Sequence, residues 1–290
     1  MQRILIHVGP PKTGTSVIQK FLHENRSALM DKGIYYPEHF VDSNGVSTGN
    51  KEAIYSENVF DPEKLKRLIA KAKGKGAHTL LLSSEAFYVD LEDIYDACPR
   101  ARFILYLRQP LQNMESYYNQ AVKRNRKTEK FSVQNIDYAR FKRLERYIEY
   151  CGNSSLLVRY YQPRCFKGGS LISDFLQNLD IPLSGDGFDP VINPSYSLSA
   201  LEFKRRVNHV AISKYADYQL DKTLQKFPGG RKKFSLTPPD IYERYLREII
   251  EKLNTLFKKH SLPGFESFLS ELADERPRPY ASQDLTQGEA

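Results

Sequence analysis

The chain has 290 residues, 40% of them hydrophobic, enough to bury a large core. No stretch approaches the roughly 18 apolar residues of a membrane-spanning helix, and the first residues already read as a core strand, so neither a transmembrane segment nor a signal peptide is expected and the chain reads as cytoplasmic. With 43 basic against 35 acidic residues the net charge is +8, which suits an anionic ligand, while the absence of helix-turn-helix, zinc-finger or RRM-type aromatic signatures argues against nucleic acid as a partner. Cys98, Cys151 and Cys165 are odd in number and lack CxxC spacing, which fits reduced thiols better than a disulfide framework or a zinc site.

In chain order, the apolar run Ile4–Val8 predicts a strand. Val8-Gly-Pro-Pro-Lys-Thr-Gly-Thr-Ser16 then turns into a helix expected over Ser16–Asp31, with Gly33 as its stop and a short strand at Ile34–Tyr36. Asp61-Pro62 opens a helix over Pro62–Lys73, followed by a strand at Thr79–Ser83. Phe103–Leu107 is a third main strand. It runs through Arg108-Gln-Pro110 into a helix over Leu111–Arg126, and a further helix at Tyr138–Cys151 precedes a strand at Leu156–Tyr160. The strand runs are apolar throughout rather than alternating, as in a parallel sheet covered on both faces.

Beyond residue 185 the pattern changes. Ser184–Ser195 is a Gly/Pro/Asp-rich loop, Ser197–Ile212 and Pro239–Lys259 read as helices, and 213–237 reads as irregular around Pro228-Gly229-Gly230. Glu275–Ala290 is polar and expected to fray. The expected fold class is α/β, a P-loop-like three-layer fold with a central parallel sheet and a helical C-terminal third. One domain is expected over residues 1–273, with a flexible tail at 274–290. Basic clusters at Lys64–Lys75, Lys123–Lys130, Arg140–Arg146 and Arg231–Lys233 each read as solvated faces, but together they favour an anionic ligand or acceptor.

Chemistry concentrates at the first turn. A helix N-terminus offers unpaired N–H groups and a partial positive charge, so the junction at Ser16 is built for a phosphate. Gly9 and Gly14 have the spacing of a Walker A loop, but that loop needs Lys directly after the second Gly. Thr15 stands there, and the lysine comes earlier, at Lys12. A second anion grip is read at Arg108, at the carboxyl end of a strand, with Ser116 eight residues on, along the following helix. A nucleoside with phosphates at both ends would fill both grips. As residue types, Lys12 also fits a solvated turn, Arg108 a structural ion pair and Ser116 a helix-surface serine.

On these residues the chain resembles the PAPS-dependent sulfotransferases, which use 3′-phosphoadenosine 5′-phosphosulfate. Pro11-Lys-Thr-Gly-Thr-Ser16 is similar to the family's 5′-phosphosulfate loop, and Leu107-Arg-Gln-Pro with Ser116-Tyr-Tyr to its 3′-phosphate motif; the likeness runs from about Met1 to Asp180. The resemblance implies that Lys12 contacts the bridging oxygen of the donor, that Thr13, Gly14, Thr15 and Ser16 hold the 5′-phosphate, and that Arg108 and Ser116 hold the 3′-phosphate. It implies no metal. It places the general base after the equivalent of Thr79–Ser83, where Glu85 stands; Glu85 also fits a first-turn helix carboxylate, and His23 and His39 are rival bases.

The resemblance further implies that the loop Pro228-Gly-Gly230-Arg231-Lys232-Lys233 closes over the 3′-phosphate, although an exposed basic turn fits equally well. Tyr160 or Tyr161 is a further candidate near the nucleotide, with core packing the other account of both. Val17 stands where small-molecule members place an aromatic, so the likeness is closer to carbohydrate-modifying and bacterial members. The expected function is transfer of a sulfuryl group from PAPS to an acceptor hydroxyl, first on a sugar or glycoconjugate. A tyrosine, lipid or phenolic acceptor, or a P-loop kinase, is the alternative. The acceptor is expected to be chosen by Tyr35–Val59 and 186–235.

Overall fold

The computed structural model describes residues 3–41, 47–183, 195–227, 234–275 and 278–283. Its elements follow in chain order. β1 (Arg3–Gly9), α1 (Thr15–Glu24), α2 (Arg26–Asp31) and β2 (Ile34–Tyr35) come first, then α3 (Lys51–Ile54), β3 (Tyr55–Ser56), β4 (Val59–Phe60) and α4 (Pro62–Gly74). β5 (Thr79–Ser83), α5 (Leu91–Ala97), β6 (Arg102–Leu107), α6 (Pro110–Arg124), α7 (Ala139–Cys151), β7 (Leu156–Tyr160) and α8 (Leu171–Asn178) carry the middle. α9 (Leu198–Val207), α10 (Lys214–Gln225), α11 (Pro239–His260) and α12 (Phe265–Ala273) complete it.

The chain forms two compact units. The first, Met1–Arg108 with Ala139–Ile192 and Asn254–Glu271, contains the sheet. Five parallel strands run in the order β2-β5-β1-β6-β7. The strands are apolar on both faces because both are covered. Leu5, Leu81, Ile104 and Tyr106 bury one face against Ile18 and Leu22 of α1 and Leu171, Ile172 and Phe175 of α8. On the other, Tyr95 of α5 lies 6.4 Å from Phe103, and Tyr160 stacks on Phe268 of α12 at 4.5 Å. This is the expected α/β layering.

The predicted strands and helix starts match closely. Asp61 caps α4 by accepting from the N–H groups of Glu63 and Lys64, both at 3.0 Å, with Pro62 at the first helical position. The helix expected over Ser16–Asp31 is two helices. Asn25 breaks it, its side chain donating to the Phe21 carbonyl at 2.9 Å. α8 is not among the predicted helices, although Ser170 caps it by accepting from Ser173 N at 3.1 Å and Leu171, Ile172, Phe175 and Leu176 form an apolar stripe at helical spacing.

The second unit, Gln109–Tyr138 with Asn193–Leu253 and Leu272–Ala290, packs Tyr118 and Val122 of α6 on Tyr196, Ala200, Leu201 and Leu224. Residues 213–237 are not irregular throughout: α10 occupies Lys214–Gln225, started by Ser213, which accepts from the Ala216 N–H at 3.1 Å. Its buried face includes a charge, and so escapes a search for apolar periodicity. Asp221 accepts from Tyr196 Oη at 2.5 Å and pairs with Arg124 at 3.0 Å. Part of the stretch expected to fray is tied down. Ser235 N donates to Pro279 O at 3.0 Å, and the buried Gln283 donates to Tyr118 Oη at 2.9 Å. Pro228–Lys233, which includes the candidates Gly230, Arg231 and Lys232, lies outside the described residues. No described helix is long and apolar enough to cross a membrane, and the three cysteines are free thiols.

Candidate functional site: the phosphate loop between two strand ends

The strand order sets the geometry. β1 lies between β5 and β6, so the loop after Gly9 is flanked by the residues following Ser83 on one side and Leu107 on the other. Glu85 and Arg108 occupy those flanks. Ligands bind outside the carboxyl ends of the strands in open α/β sheets.

The loop is held from within. Gly9, Lys12 and Gly14 all have left-handed backbone, with φ of 88°, 72° and 79°. At Gly14 the requirement is also steric, because a methyl group there would run into Leu171 and come within 3.0 Å of the Tyr161 ring. Thr13 is fully buried, and its hydroxyl donates to the Pro10 carbonyl at 2.6 Å. This hydroxyl braces the turn, which leaves Thr13 its backbone N–H to offer an anion. α1 begins at Thr15 with Gly14 as N-cap, no capping side chain and no acidic residue in its first turn. Ser16, half-buried, is its second residue, and half-buried Pro11 precedes Lys12 in the turn. First-turn N–H groups without a protein cap are the donor set an anion needs.

On the β5 side, the Thr15 hydroxyl donates to Glu85 Oε1. Glu85 also overlies the start of the loop: a methyl group on Gly9 would sit 3.4 Å from Glu85 Cα. Asn50 positions this segment. Its Oδ1 accepts from Ser83 N at 3.0 Å, its own N–H donates to Ser83 O at 2.9 Å, and its Nδ2 donates to Pro37 O at 2.6 Å. Neighbouring Gly49 cannot bear a side chain, because a methyl group would strike the Ser83 carbonyl. The sequence reading missed both residues: one Asn in a loop has no local signature.

On the β6 side, Arg108 Nη1 donates to the Lys12 carbonyl at 3.1 Å, and its guanidinium lies 5.4 Å from the centre of the Tyr161 ring. Tyr161 thus touches both the loop and the arginine, whereas Tyr160 is a core residue stacked on Phe268. Val17, just after the loop, packs on the core beneath α1. Ser116 is half-buried on α6, in the second unit. Its neighbour Glu115 accepts from Ser235 Oγ at 2.6 Å, Leu236 N at 3.0 Å and Thr237 Oγ1 at 2.9 Å.

The rival bases sit together elsewhere. His23 and His39 have ring centres 4.9 Å apart, and His39 is bonded to Tyr36 Oη at 3.1 Å and Ser47 Oγ at 2.6 Å. Burial holds His39 below the usual histidine range. Beneath the loop, His7 is wholly buried, bonded to Ser83 Oγ at 2.8 Å, and burial pushes its pKa down to about 3, so it is neutral. Among the described residues the one cluster with metal-ligand spacing is Glu145, Glu149 and His260, and there Lys259 already pairs with Glu145 at 2.6 Å and Glu149 at 3.2 Å.

No family model matches the chain. An uncharacterized protein of Archaeoglobus fulgidus is 34% identical over 111 residues, covering 37% of this chain and 30% of that protein's length. Among solved structures, a sulfotransferase from Alicyclobacillus acidocaldarius is similar over 90% of this chain and 96% of its own, at 16% identity and a TM-score of 0.42. A retinol dehydratase in complex with androsterone and inactive cofactor PAP is similar over 77% of this chain and 64% of its own, at 12% identity and a TM-score of 0.23. Both TM-scores are too low for either likeness to bear on what this chain does.

Proposed function

We propose that this chain transfers a sulfuryl group from PAPS to an acceptor hydroxyl. The observation that carries the reading is the placement of one carboxylate and one guanidinium on either side of an uncapped helix N-terminus, with Glu85 on the Thr15 hydroxyl and Arg108 on the Lys12 backbone. The loop N–H groups with Thr15 and Ser16 would hold the donor's 5′-phosphate. Arg108, with Ser116 and the basic stretch Gly230, Arg231 and Lys232, would hold its 3′-phosphate. Glu85 would take the proton from the acceptor hydroxyl as that oxygen bonds to sulfur. The sulfur–oxygen bond to the 5′-phosphate would break, its electron pair leaving with the phosphate, and Lys12 would offset the charge that grows there. The groups assigned here are hydrogen-bond donors, cations and one base, and no step in the scheme calls on a metal.

The same geometry gives a second reading some support: a carboxylate on a loop hydroxyl can also hold the Mg²⁺ of a P-loop kinase. Against it, Thr15 stands where that class needs its lysine. For the acceptor, a sugar hydroxyl remains the first proposal on the strength of the Lys-Thr-Gly-Thr loop and the carboxylate base, and the site is proposed to work in the cytoplasm as part of a bacterial enzyme. Incubation with PAPS and a panel of glycans, tyrosine peptides, lipids and phenols, followed by mass spectrometry, tests the reading. Donor-dependent sulfated product supports it and names the acceptor class. Phosphorylated product from ATP and Mg²⁺ would replace it with the kinase.

A further inference from the structure

Glu85 is bonded where an anion would bind. Thr15 is the first residue of α1 and is buried, and its hydroxyl donates to the Glu85 carboxylate. α1 has no side-chain cap and no first-turn acid of its own, so this carboxylate brings negative charge to the helix end. The contact is enforced from two directions. Glu85 lies against Gly9, and Asn50 pins Ser83, two residues before it. One hydroxyl has one proton to donate, so a phosphate that takes it must displace the carboxylate.

We infer that Thr15 is a positioning residue that exchanges its hydrogen bond between Glu85 and the donor phosphate, so that donor and base are negatively coupled. Before the donor arrives, Glu85 is tethered to the loop. A bound phosphate takes the Thr15 hydroxyl and repels the carboxylate, which swings off the helix end toward the acceptor side. The base is then released only when there is something to transfer. After transfer, Glu85 competes with the product phosphate for the same hydroxyl and promotes its departure. The coupling is reciprocal. This inference rests on the proposed sulfotransferase reading for its ligand, but the exchange itself needs only a phosphate in the loop.

The test is a double-mutant cycle read by calorimetry, with 3′-phosphoadenosine 5′-phosphate as probe and inorganic pyrophosphate as a second probe. Glu85→Ala should tighten binding about fivefold, the size of one net hydrogen bond, because the Thr15 hydroxyl is then free for the phosphate. In a Thr15→Val background the same substitution should gain roughly twofold at most, since only charge repulsion is left. Thr15→Ser, which keeps the hydroxyl, should restore the larger gain, an outcome a merely structural role would not produce. Unchanged or weakened binding in Glu85→Ala, or an equal gain on both backgrounds, overturns the exchange. If only pyrophosphate binds and shows the cycle, the sulfotransferase reading fails and the exchange stands. If neither probe binds, the loop holds no phosphate and both fall.

Discussion

Arg108 reaches back from the end of β6 to donate a 3.1 Å hydrogen bond to the carbonyl of Lys12, in the middle of the loop between β1 and α1. The arginine assigned to one end of the ligand therefore also supports the backbone of the residue assigned to the other. Arg108→Lys keeps a charge but not the planar fork that can bond loop and phosphate together. Its affinity for 3′-phosphoadenosine 5′-phosphate, measured by calorimetry, should fall roughly 10- to 100-fold. An affinity within twofold of wild type would remove Arg108 from the site.

In the proposed mechanism Lys12 would act on charge that develops during the reaction. Lys12→Ala should lower kcat roughly 10²- to 10³-fold while changing product affinity by much less, because its contribution is greatest in the transition state. Equal losses in both measurements would contradict that role.

Glu85→Gln should fold and bind nucleotide at least as tightly as wild type, since the amide removes the charge that opposes the phosphate. Turnover should drop roughly 10²- to 10⁴-fold with the loss of the base. Turnover near wild type would move the base elsewhere, with the His23–His39 pair the next place to look.

His7 gives a pH prediction. Its folded pKa is depressed to about 3 by burial, against about 6.5 in the unfolded chain. The unfolded state therefore takes up a proton first as pH falls. The stability that neutral His7 contributes is fully present above about pH 6.5 and declines by about 1.4 kcal/mol per unit down to about pH 3. Denaturant melts of wild type and His7→Asn at pH 7 and pH 5 should show the difference between the two proteins shrinking at the lower pH, by an amount of that order. A difference constant across that range would mean that His7 is solvated.

Gly14→Ala places a side chain on left-handed backbone directly against Leu171. It should cost about 1–3 kcal/mol of stability in denaturant melts, and it should abolish nucleotide binding even where the protein remains folded.

Much of this was legible in the sequence because it is local. The loop, the strand ends and the Asp61-Pro62 helix start are written in adjacent residues, and the four main strands match almost residue for residue. What escaped is non-local or polar. Asn50 matters through Ser83, which is 33 residues away, and α10 hides because its buried face includes Asp221. That the Thr13 hydroxyl is engaged by the Pro10 carbonyl is likewise visible only in the folded turn. The proximity of Glu85 to Thr15 follows from β5 pairing with β1, which spacing along the chain does not specify.

The central claim is that the loop, Glu85 and Arg108 form a site for a nucleotide with phosphates at its 5′ and 3′ positions. Calorimetric titration of the wild-type protein with 3′-phosphoadenosine 5′-phosphate, alongside ATP with and without Mg²⁺, tests it most directly. Tight binding of the bisphosphate without Mg²⁺, and weak binding of ATP, is the expected result. Tight, Mg²⁺-dependent binding of ATP with none of the bisphosphate would contradict it.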